Sequence, residues 1–152
     1  MHIVLVHPEI PPNTGNVART CVLTGSRLHL VEPLGFSLDQ KEVKRSGLDY
    51  WPYLDLDVHL DFDSLKEKYP EGRYLYFSTR GRRYYHQVHY KSDDFLVFGS
   101  ETSGLPEQVL EQAEQILRIP INERIPRSLN LGNSVALVLY EALRQQDFPC
   151  LR

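Results

Sequence analysis

Ile3-Val4-Leu5-Val6, the loop His7-Pro8-Glu9-Ile10-Pro11-Pro12-Asn13-Thr14-Gly15-Asn16, a mixed stretch to Gly25, and then Leu28-His29-Leu30-Val31 form the segment that decides the fold. The first run is apolar without polar alternation, the composition of a strand buried on both faces. Asn13-Thr14 can cap a following helix, and Gly25 can end it in the left-handed conformation. Leu28 to Val31 then predicts a second short strand.

The same alternation continues outward. Ser37-Leu38-Asp39-Gln40 has capping-box form and predicts a charged helix that Gly47 ends. Val58 to Phe62 predicts a weak strand, and Asp63 to Tyr69 a short helix closed by Pro70. Tyr74-Leu75-Tyr76-Phe77 and Phe95-Leu96-Val97-Phe98 are strand-like in their aromatic and β-branched content. Pro106 to Ala113 predicts a helix with proline in its first turn and glutamates near its positive end. Ile116 to Ile119 reads as another strand. The last element, Asn133 to Gln146, is helical and apolar on nearly every side, so it requires burial in the core or against a second subunit. Strands alternating with helices predict an α/β fold, a mostly parallel sheet with helices on both faces. No repeat, low-complexity tract or linker divides the chain, so residues 1–152 are read as one domain.

Composition narrows the functional classes. The apolar run at Ile3 is stopped by His7 and Pro8, unlike a signal peptide, and Val135 to Tyr140 is too short to cross a bilayer. A soluble, cytoplasmic protein without membrane attachment is expected. Cys21 and Cys150 are too few for a disulfide framework or a zinc site, which fits a reducing compartment. His86 and His89 have no thiolate or third histidine nearby, so no metal is expected. The net charge of −3 offers no overall attraction for nucleic acid. Local clusters could still supply it: Lys41, Lys44 and Arg45; Arg80, Arg82 and Arg83; Arg124 and Arg127. Each cluster is also what an ordinary solvated face looks like.

Ligands of open α/β sheets bind beyond the carboxyl ends of the strands, so the loops there carry the chemistry. The loop from Pro8 to Asn16 is stiffened by prolines and leads to Arg19 one turn later. A capped helix with a surface arginine would use the same residues. Ser78-Thr79-Arg80-Gly81-Arg82-Arg83 ends a strand in hydroxyls and arginines suited to phosphate. Phe98-Gly99-Ser100-Glu101-Thr102-Ser103-Gly104-Leu105-Pro106 has glycines that permit close backbone approach but no lysine after Gly104, so it is not a P-loop. Glu101 there would repel phosphate and could accept from an amino-bearing ligand. Ile119-Pro120-Ile121 and Arg127-Ser128-Leu129-Asn130-Leu131-Gly132-Asn133-Ser134 alternate polar groups with leucines, enough to grip a purine. Helix capping would use one of these polar residues, not all of them. The residues by themselves describe an α/β domain with an adenosine-sized, non-phosphate pocket near basic turns.

Asn13-Thr14-Gly15-Asn16 with Arg19, the 98–106 loop and the 128–134 segment resemble the three motifs of the SPOUT methyltransferases. The similarity is closest to the TrmL (YibK-like) family of tRNA (cytidine(34)-2′-O)-methyltransferases and extends through Glu32-Pro33-Leu34-Gly35-Phe36 and Gly47-Leu48-Asp49-Tyr50. The resemblance implies a C-terminal deep trefoil knot, which general rules of topology would not suggest. It implies S-adenosylmethionine (AdoMet) bound in that knot, with S-adenosylhomocysteine as product. The adenosine site would be lined by Gly99, Ile119, Ile121, Ser128 and Leu129, beside Phe77, Ser78 and Thr79, with Glu101, Gly104 and Asn133 completing it. It further implies a homodimer and, as substrate, the wobble cytidine or modified uridine of tRNA, with leucine isoacceptors expected.

The implied reaction is displacement at the sulfonium methyl by a ribose 2′-oxygen. Arg19 is the family's activating residue. A guanidinium does not readily surrender a proton, so Arg19 is read as orienting the nucleotide and steadying the developing oxyanion. Asn13, Glu101, Ser128 and Asn130 would complete the catalytic group. RNA would be held by the arginine turns, and Tyr84 and Tyr85 could stack on bases. The alternatives are a SPOUT 2′-O-methyltransferase acting on ribosomal RNA or another tRNA position, and a non-catalytic AdoMet- or RNA-binding protein.

Overall fold

The computed structural model describes residues 1–38 and 50–152. In strand β1 (His2–Val6), Ile3 and Leu5 face one side while Val4 and Val6 face the other, and all four are fully buried. A strand apolar on both faces needs cover on both sides, which places it inside a parallel sheet. The other strands are β2 (Arg27–Val31), β3 (Leu56–His59), β4 (Tyr74–Phe77), β5 (Arg83–Tyr84), β6 (Phe95–Phe98) and β7 (Ile116–Arg118). Among the described residues they form a seven-stranded sheet in the order β3-β2-β1-β6-β4-β7-β5, with every pairing parallel.

Helices cover both faces, as the alternation predicts. Helix α1 (Pro11–Thr24) and the last helix, α4 (Leu131–Arg144), pack on the face that carries Ile3, Leu5, Leu28, Leu96 and Leu117. Helix α2 (Phe62–Lys68) and the single turn α3 (Glu107–Leu110) contribute Phe62, Leu65, Val109 and Leu110 to the face that carries Val4, Val6, Val31 and Val97. Among the described residues no helix is long and apolar enough to cross a membrane.

Several expectations shift in detail. Helix α1 begins at Pro11 behind an Ile10 cap that makes no side-chain bond, so Asn13 is inside the helix and is not its cap. Prolines at the first helical positions need no amide partner, which lets the helix start early and frees the Asn13 side chain. The third strand is Leu56–His59, not Val58 to Phe62, because Asp61 caps α2 by accepting from the Ser64 amide at 2.7 Å and draws Phe62 into the helix. The helix expected over Pro106 to Ala113 is reduced to its single turn, where Val109 and Leu110 are the buried residues. No sequence signal announced β5, whose two residues are exposed. The charged helix expected from Ser37 to Gly47, with Lys41, Lys44 and Arg45, falls almost wholly outside the described residues. The last helix buries one face only: Val135, Val138, Leu139 and Ala142 are fully covered, while Leu137 and Tyr140 stay 38% and 47% exposed.

Three histidines cross the first three strands on the α2 side of the sheet. His2 Nδ1 lies 2.9 Å from His29 Nε2, and His29 Nδ1 lies 3.0 Å from His59 Nε2. Asp57, His29 and His59 also place three ligand-type atoms within 4.8 Å of one another. The Asp57 carboxylate already accepts from Lys68 at 2.7 Å and from Tyr69 at 3.1 Å, and the imidazoles bond to each other. Each donor of the cluster therefore has a protein partner.

Burial, reinforced by the neighbouring positive groups, pushes His2 down to about 4 and His29 to about 3, and lowers His59 as well. An unfolded histidine titrates near ~6.5. Below that pH the unfolded chain takes up protons that the folded chain refuses, so stability is full above about pH 6.5 and falls as pH drops toward 4. The urea midpoint is therefore expected to be lower at pH 5 than at pH 7.5. His2→Asn, at the half-buried end of the chain, is expected to make that slope shallower. An unchanged slope would remove His2 as a source of it.

Candidate active site

The carboxyl ends of β1, β6, β4 and β7, neighbours in the sheet, send their loops over one cavity of about 380 Å³. That is a volume typical of small-molecule sites. Its walls bring together most of the residues singled out from sequence. Phe77, Ser78 and Thr79 line it from the end of β4, Gly99, Glu101 and Gly104 from β6, and Ile119 and Ile121 from β7. Ser128, Leu129 and Asn130 close it ahead of α4, and Asn13 reaches it from α1.

The β6 loop is rigid for a backbone reason. A Cβ on Gly99 would lie 2.0 Å from the Gly104 carbonyl carbon and 2.1 Å from the Leu105 nitrogen. Its glycine therefore serves a close approach within the protein's own chain, where the sequence suggested approach to a ligand. Ser100 and Gly104 exchange two backbone hydrogen bonds of 3.1 Å, and Gly104 adopts φ +71°. The Ser100 and Ser103 hydroxyls meet at 2.8 Å across the loop.

Glu101, at the tip of this loop, is turned to the first loop. Its carboxylate accepts from the Glu9 amide at 2.8 Å, the Ile10 amide at 3.1 Å and the Asn13 side-chain amide at 3.0 Å. Asn13 Oδ1 in turn accepts from Asn130 Nδ2 at 3.0 Å. Asn130 also caps α4, accepting from the Asn133 backbone at 3.2 Å. Asn130 thus fills the capping role and a tertiary one together. Both Glu101 oxygens have protein donors, where sequence reasoning offered them to a ligand.

Other expected residues lie apart. Asn133 is outside the cavity wall, joined to the site through its backbone bond to Asn130. Arg19 is exposed on α1, also outside the wall, and its guanidinium carbon sits 5.8 Å from the Tyr50 ring centroid. Within the arginine turn, Arg80 lines the cavity and pairs with Glu107 at 2.6 Å, while Arg83 donates to the Gln87 carbonyl. Arg82, Arg124 and Arg127 are exposed and make no ion pair among the described residues. Ile10, Ser100, Ser103, Leu105, Leu131 and Ser134 lie in loops that the sequence pointed to without a place in the cofactor site being assigned to each, and Leu110 was missed altogether. Adjacency to the end of β6 was a usable signal for the two serines. The leucines look like any core leucine in sequence.

A parallel α/β sheet with a stiff glycine loop and an asparagine-capped last helix around a cavity lacking the P-loop pattern defines a class. Residues 1–140 match the SpoU rRNA methylase family, and the chain belongs to it. Among its relatives, a tRNA (cytidine(34)-2′-O)-methyltransferase of Burkholderia ambifaria is 50% identical over 97% of this chain and 96% of its own. A Bacillus anthracis protein of known crystal structure superposes with a TM-score of 0.93 at 45% identity, covering 99% of this chain and 96% of that one. A second solved structure, from work on the 2-OH methylation of C/U34 on tRNA, gives 0.89 at 46% identity over 96% and 95%.

The Glu101 contacts make a direct prediction. Glu101→Gln keeps the shape but turns an NH₂ group toward one of three donors, which costs about 1–3 kcal/mol. Urea unfolding of the variant is expected to show that loss, and an unchanged midpoint would mean the carboxylate does not brace the loops.

Proposed function

We propose that this chain transfers the methyl group of AdoMet to the ribose 2′-hydroxyl of nucleotide 34 of tRNA, with leucine isoacceptors as substrates. The observation that carries the reading is the 50% identity to an enzyme of that name over 97% of the chain. The cavity supports the cofactor assignment. Ile119, Leu129 and Leu105 offer apolar walls to a purine, and Ser100 and Ser128 offer hydroxyls. The arginine on its wall is already paired with Glu107, so the site is not built for a phosphate chain.

When bound, AdoMet supplies a methyl group already activated by its sulfonium charge, so the protein's own task is positioning. Glu101, Asn13 and Asn130 hold the three loops in register around the cavity. Ser128 and Leu129, on the cavity wall, would hold the cofactor's adenosine. Arg19 would orient the nucleotide through its phosphate and steady the developing 2′-oxyanion by a charge-assisted hydrogen bond, the hydroxyl proton passing to water as the oxygen takes the methyl group and S-adenosylhomocysteine leaves. Arg82, Arg83, Arg124 and Arg127 supply non-specific attraction for the RNA backbone. The 1–152 chain acts as one domain, and its C-terminal segment is threaded as the family's knot.

A homodimer accounts for the uncovered side of α4. Leu137 and Tyr140 there, and Leu23 at 64% exposure on the adjoining α1, are large apolar groups facing outward. Sedimentation of the double variant Leu137→Glu, Tyr140→Glu is expected to show a species half the mass of the wild type.

The activity is tested by methyl transfer from labelled AdoMet to total tRNA, followed by mapping of the modified nucleotide. Label is expected on the ribose at position 34. Arg19→Ala is expected to lower the rate about 100-fold or more. Arg19→Lys is expected to stay low because lysine lacks the planar fork. Label on ribosomal RNA or at another tRNA position would replace this substrate, and wild-type rates in both variants would remove Arg19 from the mechanism.

A further inference from the structure

Arg19 has little to hold it. It projects from α1 into solvent and, among the described residues, makes no ion pair. A free arginine samples many rotamers, and a group that must meet a ribose in line with a methyl donor cannot afford that spread. The contact the structure provides is the ring of Tyr50, 5.8 Å from the guanidinium carbon, inside the ~6 Å range of a cation–π interaction.

Tyr50 is itself fastened at both ends. Its hydroxyl donates to the Gly15 carbonyl at 2.8 Å. In an α-helix that carbonyl belongs to the residue four before Arg19, so Tyr50 is tied to the same turn that presents the arginine. On the other side its backbone carbonyl accepts from Tyr53 at 3.0 Å and opens the 3-10 turn Trp51–Tyr53. The half-buried ring also packs against the core beneath α1 and α4. A contact through the face of a ring occupies none of the guanidinium's five N–H donors, so they stay available for RNA.

We propose that Tyr50 is a positioning residue: anchored through Gly15, its ring holds the Arg19 guanidinium in the orientation that meets the ribose. The inference rests on the reading of Arg19 given above, and it assigns Tyr50 no contact with substrate.

The test measures single-turnover methyl transfer to tRNA, AdoMet affinity and thermal melting for Tyr50→Phe, Tyr50→Trp and Tyr50→Leu. Tyr50→Leu is expected to slow transfer about tenfold, with AdoMet affinity within about twofold of wild type. Phe, which keeps the ring but loses the bond to Gly15, is expected to fall between Leu and wild type and to serve as the reference for the fluorinated series, and Trp to stay above Leu. In an Arg19→Ala background, Tyr50→Leu is expected to have no further effect on the residual rate. Fluorinated phenylalanines at position 50 keep the ring's shape while draining its negative face. They are expected to lower the rate stepwise with fluorine count, which a purely structural role would not do, and they serve equally if the Leu variant does not fold. A wild-type rate for Tyr50→Leu, or an unchanged rate across the fluorinated series, overturns the assignment while Arg19 remains essential. A wild-type rate for Arg19→Ala overturns the reading beneath it as well.

Discussion

One carboxylate, Glu101, joins loops that the chain delivers from distant places. It sits on the tight β6 loop and takes two backbone amides from Glu9 and Ile10, so the first loop is held by its main chain and not by any particular side chain there. Through Asn13 the same connection reaches Asn130 and the start of α4. Hydrogen bonds to a charged acceptor are the stronger kind, and those beside a cavity wall are partly shielded from water. The cavity depends on this arrangement, because its walls come from strand ends that the sheet sets side by side but does not itself connect.

The sheet makes that proximity possible. Parallel strands place all their carboxyl ends along one edge, so loops after β1, β4, β6 and β7 meet without long excursions. β6, and β1 from Ile3 to Val6, are apolar on both faces and give that edge a stiff base. Helix α1 then has two functions. Its first turn contributes Asn13 to the loop network, and two turns later it presents Arg19 on the outside. Asn13 and Arg19 therefore share one short helix, the first facing the cavity and the second solvent.

Charge is unevenly distributed. The chain is net negative, yet Arg82, Arg124 and Arg127 are exposed and have no carboxylate partner among the described residues, while Arg80, on the cavity wall, is paired with Glu107. A cluster of three arginines in sequence therefore separates into residues with different availability. Arg80 closes the cavity, Arg83 is bound to a backbone carbonyl, and Arg82 is free to face solvent.

The α/β class was legible in the sequence because buried strands are short, unbroken apolar runs. Tyr74–Phe77 and Phe95–Phe98 appear in the structure with the bounds their composition predicts. The site loops were legible too, since Gly, Pro, Asn and Ser concentrate after those strands. The position of Gly25 at the end of α1 follows from local backbone chemistry, which acts over a few residues, whereas the last helix, read from Asn133, begins at Leu131 behind Asn130. Only the tertiary structure decided what the polar residues do. Asn13 looked like a cap and became a bridge, and Glu101 looked available to a ligand and instead bonds to backbone 91 and 92 residues away in the chain. It also decided that Tyr50 lies under Arg19 and that Leu110 and Leu131 line a cavity. Periodicity and capping report interactions between near neighbours, whereas a hydrogen bond between distant loops depends on strand order, which no local pattern encodes.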